Sequence, residues 1–309
     1  MRRGGIRIVW EAGKTAAALC VLVVIGVLAT AQTSGAESAP PPGASTATPL
    51  EGAKWSSNVS VSASGGSVTI ASNGIPSATY WSLPSEYAVP DPGATVVTKQ
   101  TAHVAADPTK QVPISITVPA VPTWSATTTP TAGGPIGILL SGAVLFDPYE
   151  GDGTTVALAA NFYLKGTGGT KVYFIDKCNG HPNQTGEYHY HGLPTCITSK
   201  VDGATGPSHL LGVALDGYPI YGDRGMNGKL IKASQLDACN GIFSATPEFP
   251  SGIYHYVLLD TKTAQSSLRC YHGAVSLKHT NFTSALYQCG GFSNVSALAT
   301  ARLTDRPKR

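Results

Sequence analysis

The four residues Tyr188-His189-Tyr190-His191 alternate two side-chain types. Successive side chains of a β-strand point to opposite faces, so both tyrosines share one face and both histidines the other. Two imidazoles side by side on a strand can hold a metal ion or set a base beside an acid. The signature returns as Gly252-Ile253-Tyr254-His255-Tyr256. His189, His191 and His255 are therefore the leading candidates. Three nitrogens with an open fourth position suit Zn²⁺, and imidazole also suits Cu²⁺. This set requires the two Tyr-His-Tyr strands to lie near each other. His181, in Asn179-Gly180-His181-Pro182, sits one short loop upstream of the first strand, and His272 follows Cys270 by two residues. Either could be a fourth ligand or a general acid/base. Asp176 and Asp237 could fix a histidine tautomer, or could cap the Asn-Gly turns that follow them. Packing is the plainer alternative, because a half-buried strand accepts Tyr and His without any site.

The elements that position these residues are repeated. Gly137-Ile138-Leu139-Leu140-Ser141-Gly142 matches Gly212-Val213-Ala214-Leu215-Asp216-Gly217. Asp176-Lys177-Cys178-Asn179-Gly180 matches Asp237-Ala238-Cys239-Asn240-Gly241, and Gly186–Tyr190 matches Gly252–Tyr256. The order is kept while the offset drifts, which indicates loop insertions rather than a solenoid of fixed period. Each unit opens with an apolar strand, a Ser-Gly or Asp-Gly turn and a second strand, a hairpin signal. Val156–Leu164 fits a helix or a strand, and Ser234–Ala238 fits a short helical turn capped by Ser234. Asp147–Gly153 is acidic, does not fit a calcium loop through its final Glu, and is read as a turn. The expected fold is mainly β: two related β units, about 134–196 and 209–270, packed about a pseudo-twofold axis. Together they form one sandwich-like domain with long loops and disulfides.

The first 14 residues carry Arg2, Arg3, Arg7 and Lys14 against Glu11; an apolar run from Thr15 to Ala29 and the triplet Ala29-Thr30-Ala31 follow. This is the pattern of a signal peptide over 1–31, so the chain is expected to be secreted, whether extracellular, periplasmic or at the cell surface, with no stable membrane insertion after cleavage. Residues 32–54 read as a flexible linker, 55–290 as the β domain and 291–309 as a tail. Of the 21 Lys/Arg and 18 Asp/Glu in the chain, the leader takes four and one, and the remainder is balanced. That balance argues against nucleic acid as a partner. No nucleotide or organic cofactor is indicated, and substrate and protein partner stay open.

An exported chain meets an oxidising environment, so its cysteines are read first as disulfides. The repeat pairs Cys178 with Cys196 and Cys239 with Cys270, leaving Cys289, and Cys270–Cys289 is the rival pairing. Asp176-x-Cys178-Asn179-Gly180-His181 followed by Gly186-x-Tyr188-His189-Tyr190-His191 resembles the signature of the YHYH-domain proteins. The resemblance extends to Ser72–Pro76, Gly212–Gly222 and Cys270–Gly273, and covers roughly 55–290. It implies a secreted or cell-surface protein and no particular activity. In such proteins a histidine often follows the Asn-Gly-Ile-Pro segment, where this chain has Ser77-Ala78-Thr79, so a site needing that histidine would be incomplete here.

Three functions fit these features. The first is a metal-binding protein holding one divalent Cu or Zn ion. The second is a hydrolase using a histidine base or a metal-activated water. The third is a surface adhesion or structural module in which the histidines only pack.

Overall fold

The structure, a computed structural model, describes residues 43–94, 96–131 and 133–275. The leader, His279, Cys289 and the tail lie outside the described residues. The expected linker does not extend to residue 54. A short helix, α1 (Ala47–Glu51), places Leu50 in the main core, and Trp55 Nε1 donates to the Leu50 carbonyl at 2.6 Å. One anchoring leucine leaves no apolar period, so composition alone could not show it.

Strands β1 (Val59–Ser64) and β2 (Ser67–Ser72) form a hairpin around Gly65-Gly66, where both glycines adopt positive φ. Strands β3 (Glu86–Pro90) and β4 (Ala102–Ala106) pair with each other. Strand β5 (Ile114–Pro119) joins β2 to complete a three-stranded sheet. Its buried positions alternate: Val68, Ile70, Ile116 and Val118 enter one apolar cluster with Ile136, Ile138, Tyr188 and Tyr190. The short strand β6 (Thr129–Pro130) ends this part.

The first unit comprises β7 (Pro135–Leu139), β8 (Val144–Phe146), α2 (Ala157–Ala160), β9 (Tyr163–Lys165), β10 (Lys171–Tyr173), β11 (Gly180–Pro182), β12 (Tyr188–Tyr190) and α3 (Thr195–Val201). The ambiguous stretch 156–164 is thus a helical turn followed by the start of a strand. The second unit holds β13 (Leu210–Ala214), β14 (Pro219–Tyr221), β15 (Gly241–Ser244), β16 (Ile253–Val257) and β17 (Cys270–Tyr271), the last paired with β6. Its helical turn is Ala233–Gln235, so Ser234 lies inside the turn and does not cap it.

Eight strands form one sheet in the order β11-β12-β8-β7-β13-β14-β16-β15. The two opening strands, β7 and β13, meet antiparallel at the centre. Outward from there the pairings on the two sides match: β7–β8 and β13–β14 are antiparallel, β8–β12 and β14–β16 parallel, β12–β11 and β16–β15 antiparallel. The register matches too. Tyr190 lies opposite Leu145 and Gly180, and Tyr256 lies opposite Ile220 and Gly241. Strands β7, β12, β13 and β16 are buried throughout, as expected where both sheet faces are covered.

Each Asp-x-Cys-Asn-Gly segment turns the chain in the same way. Asp176 Oδ1 accepts from the N–H groups of Cys178 and Gly180, and Asp237 Oδ1 from those of Cys239 and Gly241. Asn179 and Asn240 adopt the left-handed conformation, at φ 64° and 68°, which Asn tolerates better than most side chains. Disulfides join Cys178 to Cys196 and Cys239 to Cys270. Cys270 is thereby committed to Cys239 rather than to Cys289.

Candidate metal centre

The β11–β12 pairing sets His181 directly opposite His189, which puts both rings on one face of the sheet. His191 lies two residues beyond His189 and therefore faces the same way. The tyrosines take the other face: Tyr188 OH donates to Asp176 Oδ2 at 2.9 Å, and Tyr190 OH meets Ser141 Oγ at 2.9 Å. Gly180 lets the strands close, because a side chain there would run into the Tyr188 ring. The histidine face is roofed by aromatic rings. Phe146 stacks on His189 with centroids 4.0 Å apart, and Phe174 meets His181 edge-on at 4.4 Å. A loop from the second unit closes the end: Ser266 Oγ donates to the His191 carbonyl and Ser267 Oγ to the Phe146 carbonyl, both at 2.9 Å. All three rings are buried, at no more than 3% exposed.

Burial strips water from the rings and pulls all three pKa values down, that of His191 to about 4. At neutral pH each ring is neutral and carries one N–H. His189 Nδ1 lies 3.2 Å from the Glu187 carbonyl, and His191 Nδ1 lies 2.8 Å from the Asp147 carbonyl. A carbonyl oxygen only accepts, so both Nδ1 atoms hold the hydrogen and both Nε2 atoms present lone pairs. Those two Nε2 atoms are 3.1 Å apart. Moving one hydrogen between them would set a lone pair against a carbonyl instead. Meanwhile neither ring nitrogen of His181 has a hydrogen-bond partner among the described residues. One ligand nitrogen from each ring lies within 4.8 Å of the other two.

This arrangement fits a cation. Two nitrogens bound to one tetrahedral Zn²⁺ at about 2.0–2.1 Å would lie about 3.3 Å apart. An Nδ1–H donated to a backbone carbonyl is the usual support of an Nε2 ligand.

A family model described as "YHYH protein" matches residues 115–230 and 227–273, just over half of the 309 residues. The chain belongs to the YHYH family. No curated protein and no solved structure matches it. The family match spans both units of the large sheet, and therefore both the three-histidine cluster and its partner hairpin.

The YHYH domain places the remaining candidates elsewhere. His255 does not join His189 and His191. The strand order sends the two Tyr-His-Tyr strands to opposite flanks, with four strands between them. Five strand spacings of about 4.8 Å separate them by about 24 Å in a flat sheet. His255 repeats the His189 geometry, with Nδ1 3.0 Å from the Ile253 carbonyl. Ile242 and Val257, however, stand where the first unit has His181 and His191. His255 packs edge-on against Tyr221. His272 is also remote from the cluster: Nδ1 donates to the Ser125 carbonyl at 2.6 Å, and Nε2 lies 3.3 Å from Asp237 Oδ2. Asp176 does not touch the histidines. Trp81 Nε1, Tyr87 OH and Tyr188 OH donate to its Oδ2, all at 2.9 Å, because the carboxylate sits on the tyrosine face. The groups that fix the His189 and His191 tautomers are the Glu187 and Asp147 carbonyls. Main-chain acceptors leave no side-chain signal, so the sequence could not point to them. Phe146 and Phe174 were legible only as apolar residues.

Proposed function

We propose that this exported YHYH protein is a metal-binding protein holding one Cu or Zn ion through His181, His189 and His191. The observation that carries this reading is the pair of Nε2 lone pairs at 3.1 Å, with both Nδ1 hydrogens committed to carbonyls and a third buried imidazole beside them without a hydrogen-bond partner. Repulsion and lost hydrogen bonds at such a site cost free energy that a shared cation removes. Export is supported by the basic and apolar N-terminal segment and by two disulfides. Among the described residues, no helix is long and apolar enough to cross a membrane. Closure of the rings under Phe146, Phe174 and the Ser266–Ser267 loop favours a structural or storage centre over a hydrolytic one, which needs room for water and substrate. Elemental analysis of protein purified without a His tag tests the assignment. About one Zn or Cu per chain is expected, falling to background in the His189→Ala/His191→Ala variant. A metal-free native protein, or equal content in the variant, refutes it.

A further inference from the structure

The second unit contains another set of ligating atoms, which shares no residue with the three-histidine cluster. A carboxylate oxygen of Asp237, the sulfur of Cys239 and a ring nitrogen of His272 all lie within 4.8 Å of one another. The group is enclosed, with the side chains of His272 and Asp237 only 4% and 5% exposed. Trp124 stacks on the His272 ring at 4.9 Å, nearly parallel, and Tyr254 OH donates to Asp237 Oδ2 at 2.6 Å. His272 Nδ1–H is committed to the Ser125 carbonyl, which leaves Nε2 aimed at Asp237. That is again the orientation of an imidazole ligand held by a backbone acceptor. Only the sulfur is unsuitable. In the bond to Cys270 it bears no charge, whereas metals bind the thiolate.

Reduction would supply what is missing. A Cys239 thiolate would then join one imidazole and one carboxylate, three ligands that leave the fourth position of a tetrahedral Zn²⁺ open. The first unit lacks this arrangement at the matching position. There the Asp176 Oδ2 takes Trp81, Tyr87 and Tyr188 where Asp237 takes His272 and Tyr254.

We propose that the Cys239–Cys270 disulfide masks a second metal site, which forms on reduction with Cys239, His272 and Asp237 as ligands for a thiophilic divalent ion. A two-electron reductant opens it. A phosphine takes oxygen from water and becomes the phosphine oxide, while its two electrons break the S–S bond and the two water protons go to the sulfurs. Metal binding then releases the Cys239 thiol proton, and any proton on His272 Nε2, to solvent.

Cobalt(II) titration of the full chain, before and after phosphine reduction, reads this site directly. Only sulfur ligation gives a near-ultraviolet sulfur-to-cobalt charge-transfer band, and the three-histidine cluster has no sulfur, so either site can fail without the other. The reduced chain should develop the band with one equivalent of cobalt, and the oxidised chain should show none. Cys239→Ser should abolish it, and His272→Ala should weaken binding by at least about tenfold. Absence of the band after reduction overturns the proposal, whether the fold, followed by far-ultraviolet circular dichroism, survives or not. So does a band that persists unchanged in Cys239→Ser or His272→Ala.

Discussion

Burial sets the charge of the histidines on both flanks of the large sheet. His181, His189, His191 and His255 are all pushed toward the neutral form by desolvation. The consequence is cleanest at His255, which stands outside the cluster and whose pKa is lowered to about 4. Above pH 6.5 both folded and unfolded chains hold it neutral, and its contribution to stability is complete. As pH falls from 6.5 to 4 the unfolded chain takes a proton that the folded chain refuses, so stability falls. A depression of this size is worth about 3 kcal/mol. Urea midpoints of metal-free protein should therefore drop more steeply with acid in the wild type than in His255→Phe. Parallel profiles would show that His255 is not held neutral. At this scale the sequence was partly legible. Alternation told which rings share a face, and the short loop from His181 to the strand offered it as a fourth ligand or a general acid/base. The choice between His181 and His255 depended on strand order, which no local pattern encodes.

Between residues and molecule stands the hairpin–strand unit. The matched motifs correspond to matched structure. Tyr188 and Tyr254 donate to Asp176 and Asp237, while Tyr190 pairs with Ser141 as Tyr256 pairs with Asp216. Both predicted disulfides formed because each Cys turn and its partner belong to the same unit. What the motif matches could not show was the sheet order: β7 and β13 are the central neighbours, so the two Tyr-His-Tyr strands are kept apart. The matching positions of the second unit hold one histidine, His255, beside Ile242 and Val257. Placing histidines there through Ile242→His and Val257→His should raise bound metal from one to about two per chain. A folded variant that still binds one ion would show that equivalent strand positions do not suffice and that the roof of Phe146 and Phe174 matters as much. Helix α1 was illegible for a different reason. Its one fully buried apolar residue is Leu50, within a run of Ala, Pro, Ser and Thr.

For the whole molecule, a continuous core joins the three-stranded sheet to the eight-stranded one. Two disulfides close loops of 18 and 31 residues' separation beside the paired strands. Links of this kind typically contribute about 2–4 kcal/mol each. Low charge, abundant glycine and proline, and alternating strands made the mainly β class readable. Sheet order was less so, because parallel pairing of β8 with β12 and of β14 with β16 joins segments far apart in sequence. The account stands or falls on the ion at the three-histidine cluster. X-ray absorption at the Zn or Cu edge of untagged protein, as isolated, addresses it most directly. Three imidazole nitrogens at about 2.0–2.1 Å are predicted, with the signal lost in His189→Ala/His191→Ala. A first shell of fewer than three imidazoles, or no metal at all, would contradict it.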